Sequence, residues 1–155
     1  MALSTTSGGV SRLAVGVPWK SVDGERNAGM VVVYELDPFG NRWIPLGDTI
    51  IDDIPTAGNE LGSAIDFLDG LFLFVGIPGA ADRAGQVRLY RFNEDVREWE
   101  LHPITLTGSS AGDDFGVALA AQREIEVDRV GLSLVVGAIA QNRGGVGYVQ
   151  SFREE

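Results

Sequence analysis

The chain has 155 residues and a formal net charge of −10, from 22 acidic and 12 basic side chains. This length corresponds to about one domain, and the acidic balance excludes DNA and RNA as main partners, because nucleic-acid binding depends on lysine and arginine side chains that neutralise phosphates. The chain has no cysteine, which excludes disulfides, thiolate metal sites and cysteine nucleophiles.

The first recurring element is an apolar block that ends in glycine, an apolar residue and proline. It reads LAVGVP at 13–18 and LFVGIP at 73–78, and it returns as LVVGAI at 134–139, where Ile139 replaces the proline. The copies begin at residues 13, 73 and 134, so the sequence contains a repeat of about 60 residues, and such self-similarity at a nearly fixed period indicates a repeat architecture.

Three further blocks accompany the first one in a fixed order. A G-x-V-x-x-aromatic block lies at 29–34, 85–90 and 147–152. A tryptophan block lies at 42–46 and 98–101. A G-x-x-φ-G block, where φ is apolar, lies at 58–62 and 112–116. Most are rich in β-branched or aromatic residues and are bounded by glycine, proline, asparagine or aspartate, which predicts strands separated by turns.

The block order predicts an all-β fold of β-propeller blades, each a four-stranded antiparallel sheet, because four short strands per repeat are typical of such blades. The only helix-like stretch, 122–130, fits an extended segment equally well, so we expect almost no helix. A two-sheet sandwich would not predict the repeated block order. We expect one domain over 1–155, with repeat units at about 1–57, 58–111 and 112–155.

The blocks give about ten strands, or 2.5–3 blades, with one whole blade from Leu61 to Leu106 and with Ala2–Ser4 as the tail of a further strand. Closed propellers need about four to eight blades, and an open stack would leave apolar faces and unpaired edges in water. We therefore expect self-association or completion by other chains, and two copies would supply about six blades.

Two of these blocks carry a family resemblance. Asp114-Phe115-Gly116, followed by Val136-Gly137-Ala138, resembles the F-G and G-A-P signatures of FG-GAP repeats in the integrin α-like family, and the G-x-P half is similar at 15–18 and 75–78. The resemblance covers essentially the whole chain. It implies a β-propeller that binds protein or carbohydrate, a role in cell adhesion, and an extracellular or cell-surface location.

Two patterns of hydrophobic residues indicate whether a chain enters a membrane, and this sequence has neither. The first residues lack the basic and apolar regions of a signal peptide. No segment approaches the roughly 18 apolar residues of a membrane span, so we expect no membrane insertion.

Calcium is the cofactor that the resemblance implies. Many FG-GAP repeats carry a D-x-[DN]-x-[DN]-G loop, because a hard cation needs six to eight oxygen ligands. Here the corresponding segment 66–70 offers only Asp66 and Asp69, and the alternating acidic residues of 122–128 lack a following glycine and have arginine neighbours. The sequence therefore predicts no metal and no other cofactor.

Candidate binding residues lie in the loops that follow the first block of each repeat. Loops repeated at one position of a propeller project from one rim, and surface loops often carry binding residues. The candidates are Trp19, Lys20, Asp23, Arg26, Asp82, Arg83, Asn142 and Arg143. They predict a protein or carbohydrate partner, or a second copy of the chain.

The sequence offers little support for catalysis. Its single histidine, His102, has no serine or aspartate partner at a recognisable spacing, so we predict a non-catalytic binding or assembly module. One alternative is a carbohydrate-active hydrolase, which would need two carboxylates about 5–10 Å apart in a cleft. Another is a structural subunit of a larger complex.

Overall fold

The computed structural model describes residues 1–39, 41–126, 129–139 and 148–154. These residues form eleven strands in three antiparallel sheets, and in each sheet the strands are neighbours in chain order. Sheet 1 contains β1 (Ala2–Thr5), β2 (Ser11–Val17), β3 (Met30–Leu36) and β4 (Trp43–Pro45). Sheet 2 contains β5 (Ile65–Leu68), β6 (Phe72–Ile77), β7 (Gln86–Asn93) and β8 (Glu98–Thr107). Sheet 3 contains β9 (Ala118–Glu126), β10 (Arg129–Ala138) and β11 (Tyr148–Glu154).

The prediction of an all-β fold with four-stranded antiparallel sheets is confirmed. The described ranges contain a single helical segment, α1 (Ala80–Arg83), and it is a turn because Ala81 and Asp82 have positive φ. The ambiguous stretch 122–130 is extended where it is described, at the ends of β9 and β10. None of the helices in the described residues is long and apolar enough to cross a membrane.

Two details of the strand prediction are wrong. The sequence suggested one complete four-stranded unit, but Ala2–Thr5 pairs along its whole length with β2, so sheets 1 and 2 are both four-stranded. The G-x-x-φ-G blocks were expected to open a strand, yet they precede β5 and β9. Within the described residues the three sheets do not close into a ring.

The turn between β5 and β6 shows how local sequence sets the strand pairing. Asp69 and Gly70 have φ of 54° and 68°, and Leu71 N donates to Leu68 O at 3.3 Å. Positive φ at both central residues is the requirement of a type I′ turn, for which Asp-Gly is a preferred sequence. The turn therefore reverses the chain at Asp69-Gly70, and with Leu71 as one additional residue before β6 the ladder places Phe67 opposite Leu73.

Sheet 2 lies between the other two sheets and has apolar residues on both faces. In β6, Leu73, Val75 and Ile77 belong to a buried cluster shared with sheet 1, whereas Phe74 belongs to a second cluster shared with sheet 3. A strand covered on both sides reads as a continuous apolar run, which explains the sequence FLFVGI at 72–77.

The G-x-x-φ-G blocks, which we call the linker motifs (58–62 and 112–116), join each sheet to the preceding one. Gly58, Glu60 and Leu61 donate their N–H groups to the carbonyls of residues 26, 27 and 28 at 2.9–3.0 Å. The second motif repeats the pattern, with N–H groups of residues 112, 114 and 115 bound to carbonyls of 82, 83 and 84 at 2.8–3.3 Å. The motifs therefore bind one sheet to the next through the backbone.

Glycine is required where these motifs cross a strand. A Cβ on Gly16 would overlap the carbonyl oxygen of Gly62, and a Cβ on Gly76 would overlap that of Gly116. Gly62 and Gly116 themselves have φ of 89° and 95°, which L side chains rarely adopt. The recurring glycines of the repeat thus serve close backbone packing between sheets.

We predict that Gly76→Ala lowers the free energy of unfolding by at least about 2 kcal/mol, because the new methyl group overlaps backbone atoms that cannot rotate away. Gly8→Ala is the matched control, since Gly8 is exposed and the nearest atom to its added Cβ is 3.8 Å away. The control should change stability by less than about 0.5 kcal/mol. Urea denaturation measures both, and equal effects would contradict the close-packing account.

Candidate functional site

The described rim-loop candidates are all on the surface. Trp19 is 76% exposed, and Lys20, Asp23, Arg26, Asp82 and Arg83 are exposed as well. Asn142 and Arg143 lie outside the described residues.

The same loops also have a structural role. The backbone carbonyls of Arg26, Asp82 and Arg83 accept hydrogen bonds from the linker motifs, and Arg83 Nη2 lies 2.8 Å from Oδ1 of the buried Asp114. In loop 80–84, therefore, the Arg83 side chain holds the next linker motif. In loop 18–28 the side chains of Trp19 and Lys20 remain available to a partner, because both are exposed.

Asp66, in the segment that corresponds to the calcium loop of FG-GAP repeats, is used in sheet packing. Its Oδ2 accepts the N–H of Ala121 at 2.8 Å and its Oδ1 accepts the N–H of Phe67 at 2.9 Å. Asp66 therefore joins β5 to the edge of β9. In the part of the chain that the structure describes, no group of three or more histidine, cysteine, aspartate or glutamate side chains could hold a metal ion.

A polar cleft of about 480 Å³ lies between the linker that follows sheet 1 and strands β7 and β8 of sheet 2. At its floor, Asp52 Oδ1 forms an ion pair with Arg88 Nη1, and Asp52 Oδ2 accepts a hydrogen bond from Asn59 Nδ2 at 3.2 Å. Asp52 is only 8% exposed. Both oxygens of this carboxylate are thus committed to neighbouring side chains.

Burial and charge shift two pKa values beside this cleft. Burial alone would lower the pKa of Arg88, but its hydrogen bond to Asp52 and the negative charge of that carboxylate outweigh burial and raise it. Burial raises the pKa of the Tyr90 phenol, and the nearby Arg88 charge offsets only part of that rise. Arg88 therefore keeps its positive charge, and the Tyr90 phenol keeps its proton above the ordinary pKa of tyrosine.

An apolar feature of the surface is what we call the sheet 1 outer face, the side of sheet 1 that points away from sheet 2. Its central residues alternate with the buried ones along β1, β2 and β3, and they are Leu3, Leu13, Val15, Val17, Val32 and Tyr34. Leu3 is 66% exposed, and the others are half-buried. No described residue of sheet 2 or sheet 3 covers this face.

The sheet 1 outer face repeats the face of sheet 2 that packs against sheet 1. Leu13, Val15 and Val17 occupy the positions of Leu73, Val75 and Ile77 in the repeat. In each sheet a tyrosine lies opposite the leucine, Tyr34 in sheet 1 and Tyr90 in sheet 2. Leu3 and Phe67 lie opposite the same leucines on the other side. The set in sheet 2 is buried, whereas its counterpart in sheet 1 is uncovered.

Sequence reasoning missed two ion pairs. Arg12 is 3% exposed, donates to Glu35 at 3.1 Å and to Gly70 O at 2.9 Å, and lies 4.4 Å from the centre of the Phe92 ring. Its inward position alternates with Ala14, and that alternation was the available signal. The Asp52–Arg88 pair had no such signal, because it depends on the path of an irregular linker.

Comparison with known proteins gives no family for this chain: no protein-family model matches its sequence, and no curated protein matches it. The resemblance to FG-GAP repeats therefore rests on the residues quoted in the sequence analysis alone.

We predict that Asp52→Asn lowers the free energy of unfolding by about 2 kcal/mol, because it leaves the half-buried Arg88 without a counter-charge. The control is Asp53→Asn, which removes the same charge from an exposed neighbour and should change stability by less than about 0.5 kcal/mol. Chemical denaturation at neutral pH gives both values. Equal losses would mean that the ion pair adds nothing to stability.

The raised pKa of Tyr90 predicts a loss of stability at alkaline pH. The unfolded phenol ionises near pH 10, whereas the folded phenol keeps its proton above that pH, so stability is fully present below about pH 10 and falls as pH rises further. Tyr90→Phe cannot ionise there and should lose less stability between about pH 9 and 11. Denaturation curves recorded across this pH range test the prediction. An identical change in the free energy of unfolding with pH for both proteins would refute it.

Proposed function

We propose that this chain is a non-catalytic assembly and binding module of propeller type, whose sheet 1 outer face binds another β-sheet of a protein partner. The observation that carries the proposal is the match between this uncovered face and the face of sheet 2 that is buried against sheet 1. Because the same apolar residue types lie at equivalent repeat positions in both sheets, burial of the sheet 1 outer face should stabilise it as burial stabilises its counterpart in sheet 2.

The chemistry of the sheet 1 outer face suits sheet-on-sheet packing. The six positions named above carry no charge, and complete burial of a valine or leucine side chain stabilises by about 1.5–3 kcal/mol. Contiguous apolar patches of this kind mark interaction sites on soluble proteins. Covering the face therefore provides a driving force for association with a partner.

The polar cleft supports a structural role more than a hydrolytic one. A glycoside hydrolase needs one carboxyl group to donate a proton and another to act as base or nucleophile. In this cleft the buried Asp52 is bound to both Arg88 and Asn59, which leaves the exposed Asp53 as the other acidic side chain of its lining. The cleft thus lacks a second carboxylate free for proton transfer.

Assembly through the sheet 1 outer face predicts that thermal stability depends on protein concentration. Binding that favours the folded state raises the midpoint of unfolding as concentration rises, so Tm should increase by several degrees over a roughly hundredfold range. Val15→Asp places a charge in the face and should make Tm independent of concentration. Differential scanning calorimetry gives the comparison.

A suitable control for this experiment is Val96→Asp, at a valine that is 60% exposed in the turn between β7 and β8. This variant should keep the concentration dependence of the parent protein. A parent Tm that does not change with concentration would remove the basis of the proposed function.

A further inference from the structure

We propose that the sheet 1 outer face is covered by sheet 3 of a second copy of this chain, so that copies associate head to tail. This inference rests on the proposed function and names the partner. It concerns the apolar end of the outer side of sheet 3, formed by Ala118, Ala120, Val135 and Gly137, which we call the sheet 3 outer face.

The sheet 3 outer face has the small residues that cover sheet 2 in the internal interface. There, Ala2 and Ala14 on the inner face of sheet 1 belong to the same buried cluster as Leu73 and Val75 of sheet 2, and Gly16 continues that face against the backbone of the linker motif. In the repeat, Val135 and Gly137 occupy the positions of Ala14 and Gly16, and Ala120 lies opposite Val135 as Ala2 lies opposite Ala14. Sheet 3 thus repeats the covering surface of sheet 1.

The sheet 3 outer face is also uncovered among the described residues. Val135 is 42% exposed, and Ala118 and Ala120 are exposed. Gly16 and Gly76 each lie against the next linker motif, whereas the nearest described atom to a Cβ on Gly137 belongs to Ala118 of its own sheet, at 3.2 Å. The surface is therefore available to a neighbour.

Complementary size favours this pairing over the symmetric ones. Packed interfaces alternate large and small side chains on facing positions, and the small Ala14 belongs to the buried cluster that contains the larger Leu73 and Val75. Two sheet 1 outer faces would oppose large residues to large residues. Two sheet 3 outer faces would leave voids between small ones. Only the mixed pairing reproduces the interface between sheets 1 and 2.

The apolar positions proposed to pair are uncharged. The chain carries a net charge of −10, which opposes self-association in general. The residues named on both outer faces carry no charge, whereas the register places Glu124 and Glu126 of β9 further along the same side of sheet 3. An interface between two different surfaces closes into a ring when the rotation permits, and two copies would give six sheets, within the range of closed propellers.

The test uses two variants that each damage one face. Val15→Asp disables the sheet 1 outer face, and Val135→Asp disables the sheet 3 outer face. Because both sites are at least partly exposed, each variant should fold as the parent does. Circular dichroism checks the folding of each variant. Alone, each variant should sediment as a monomer of 16.6 kDa. Mixed in equal amounts, they should form a complex of twice that mass through the remaining intact pair of faces.

The outcomes separate the inference from the proposed function. If Val135→Asp alone associates as the parent does, or if the two variants are monomeric and remain so when mixed, the head-to-tail pairing is wrong while the sheet 1 outer face can still bind another sheet. If the parent and Val15→Asp are equally monomeric at every concentration, the proposed function fails as well. The inference is supported when a complex forms in the mixture of the two variants and each variant by itself stays monomeric.

Discussion

The carbonyl oxygen of Gly62 lies where a side chain on Gly16 would begin, and the carbonyl of Gly116 has the same place over Gly76. This contact brings the backbone of each linker motif onto the strand of the preceding sheet, and six backbone hydrogen bonds in two equivalent sets hold it there. Because the contact is made twice at equivalent positions, on Gly16 and on Gly76, it fixes how sheet 2 stacks on sheet 1 and sheet 3 on sheet 2. The two apolar clusters and the two uncovered faces follow from that stacking.

Polar side chains make further contacts between the stacked sheets, and these contacts differ from one repeat to the next. Arg12 connects sheet 1 with the turn of sheet 2 through Gly70 and the Phe92 ring, and Asp66 connects sheet 2 with β9. Arg88 occupies the position that Val32 has in sheet 1, and Asp52 from the linker neutralises it. That exchange of valine for arginine explains why the sheet 1 outer face is more apolar than the equivalent face of sheet 2.

The sequence predicted the strands well because period-two burial and Asp-Gly or glycine-rich turns are local properties, as at 66–77. It predicted Ala2–Ser4 only as the tail of a strand and therefore counted the first sheet as incomplete, whereas Ala2–Thr5 is the whole of β1. It also took the linker motifs for strand openings, since their role becomes visible only when Leu61 pairs with Gly29 of another sheet. The ion pairs of Arg12 and Arg88 join residues far apart in the chain, so their detection required the register and the linker path.

Sedimentation equilibrium of the unmodified chain over a wide range of concentrations tests most directly whether the sheet 1 outer face is an interface. The account predicts a mass that rises with concentration above the 16.6 kDa of one chain. Association of this kind would place the repeated apolar face in contact with another sheet. A mass that stays at 16.6 kDa throughout would show that the face remains in water, and it would contradict the account.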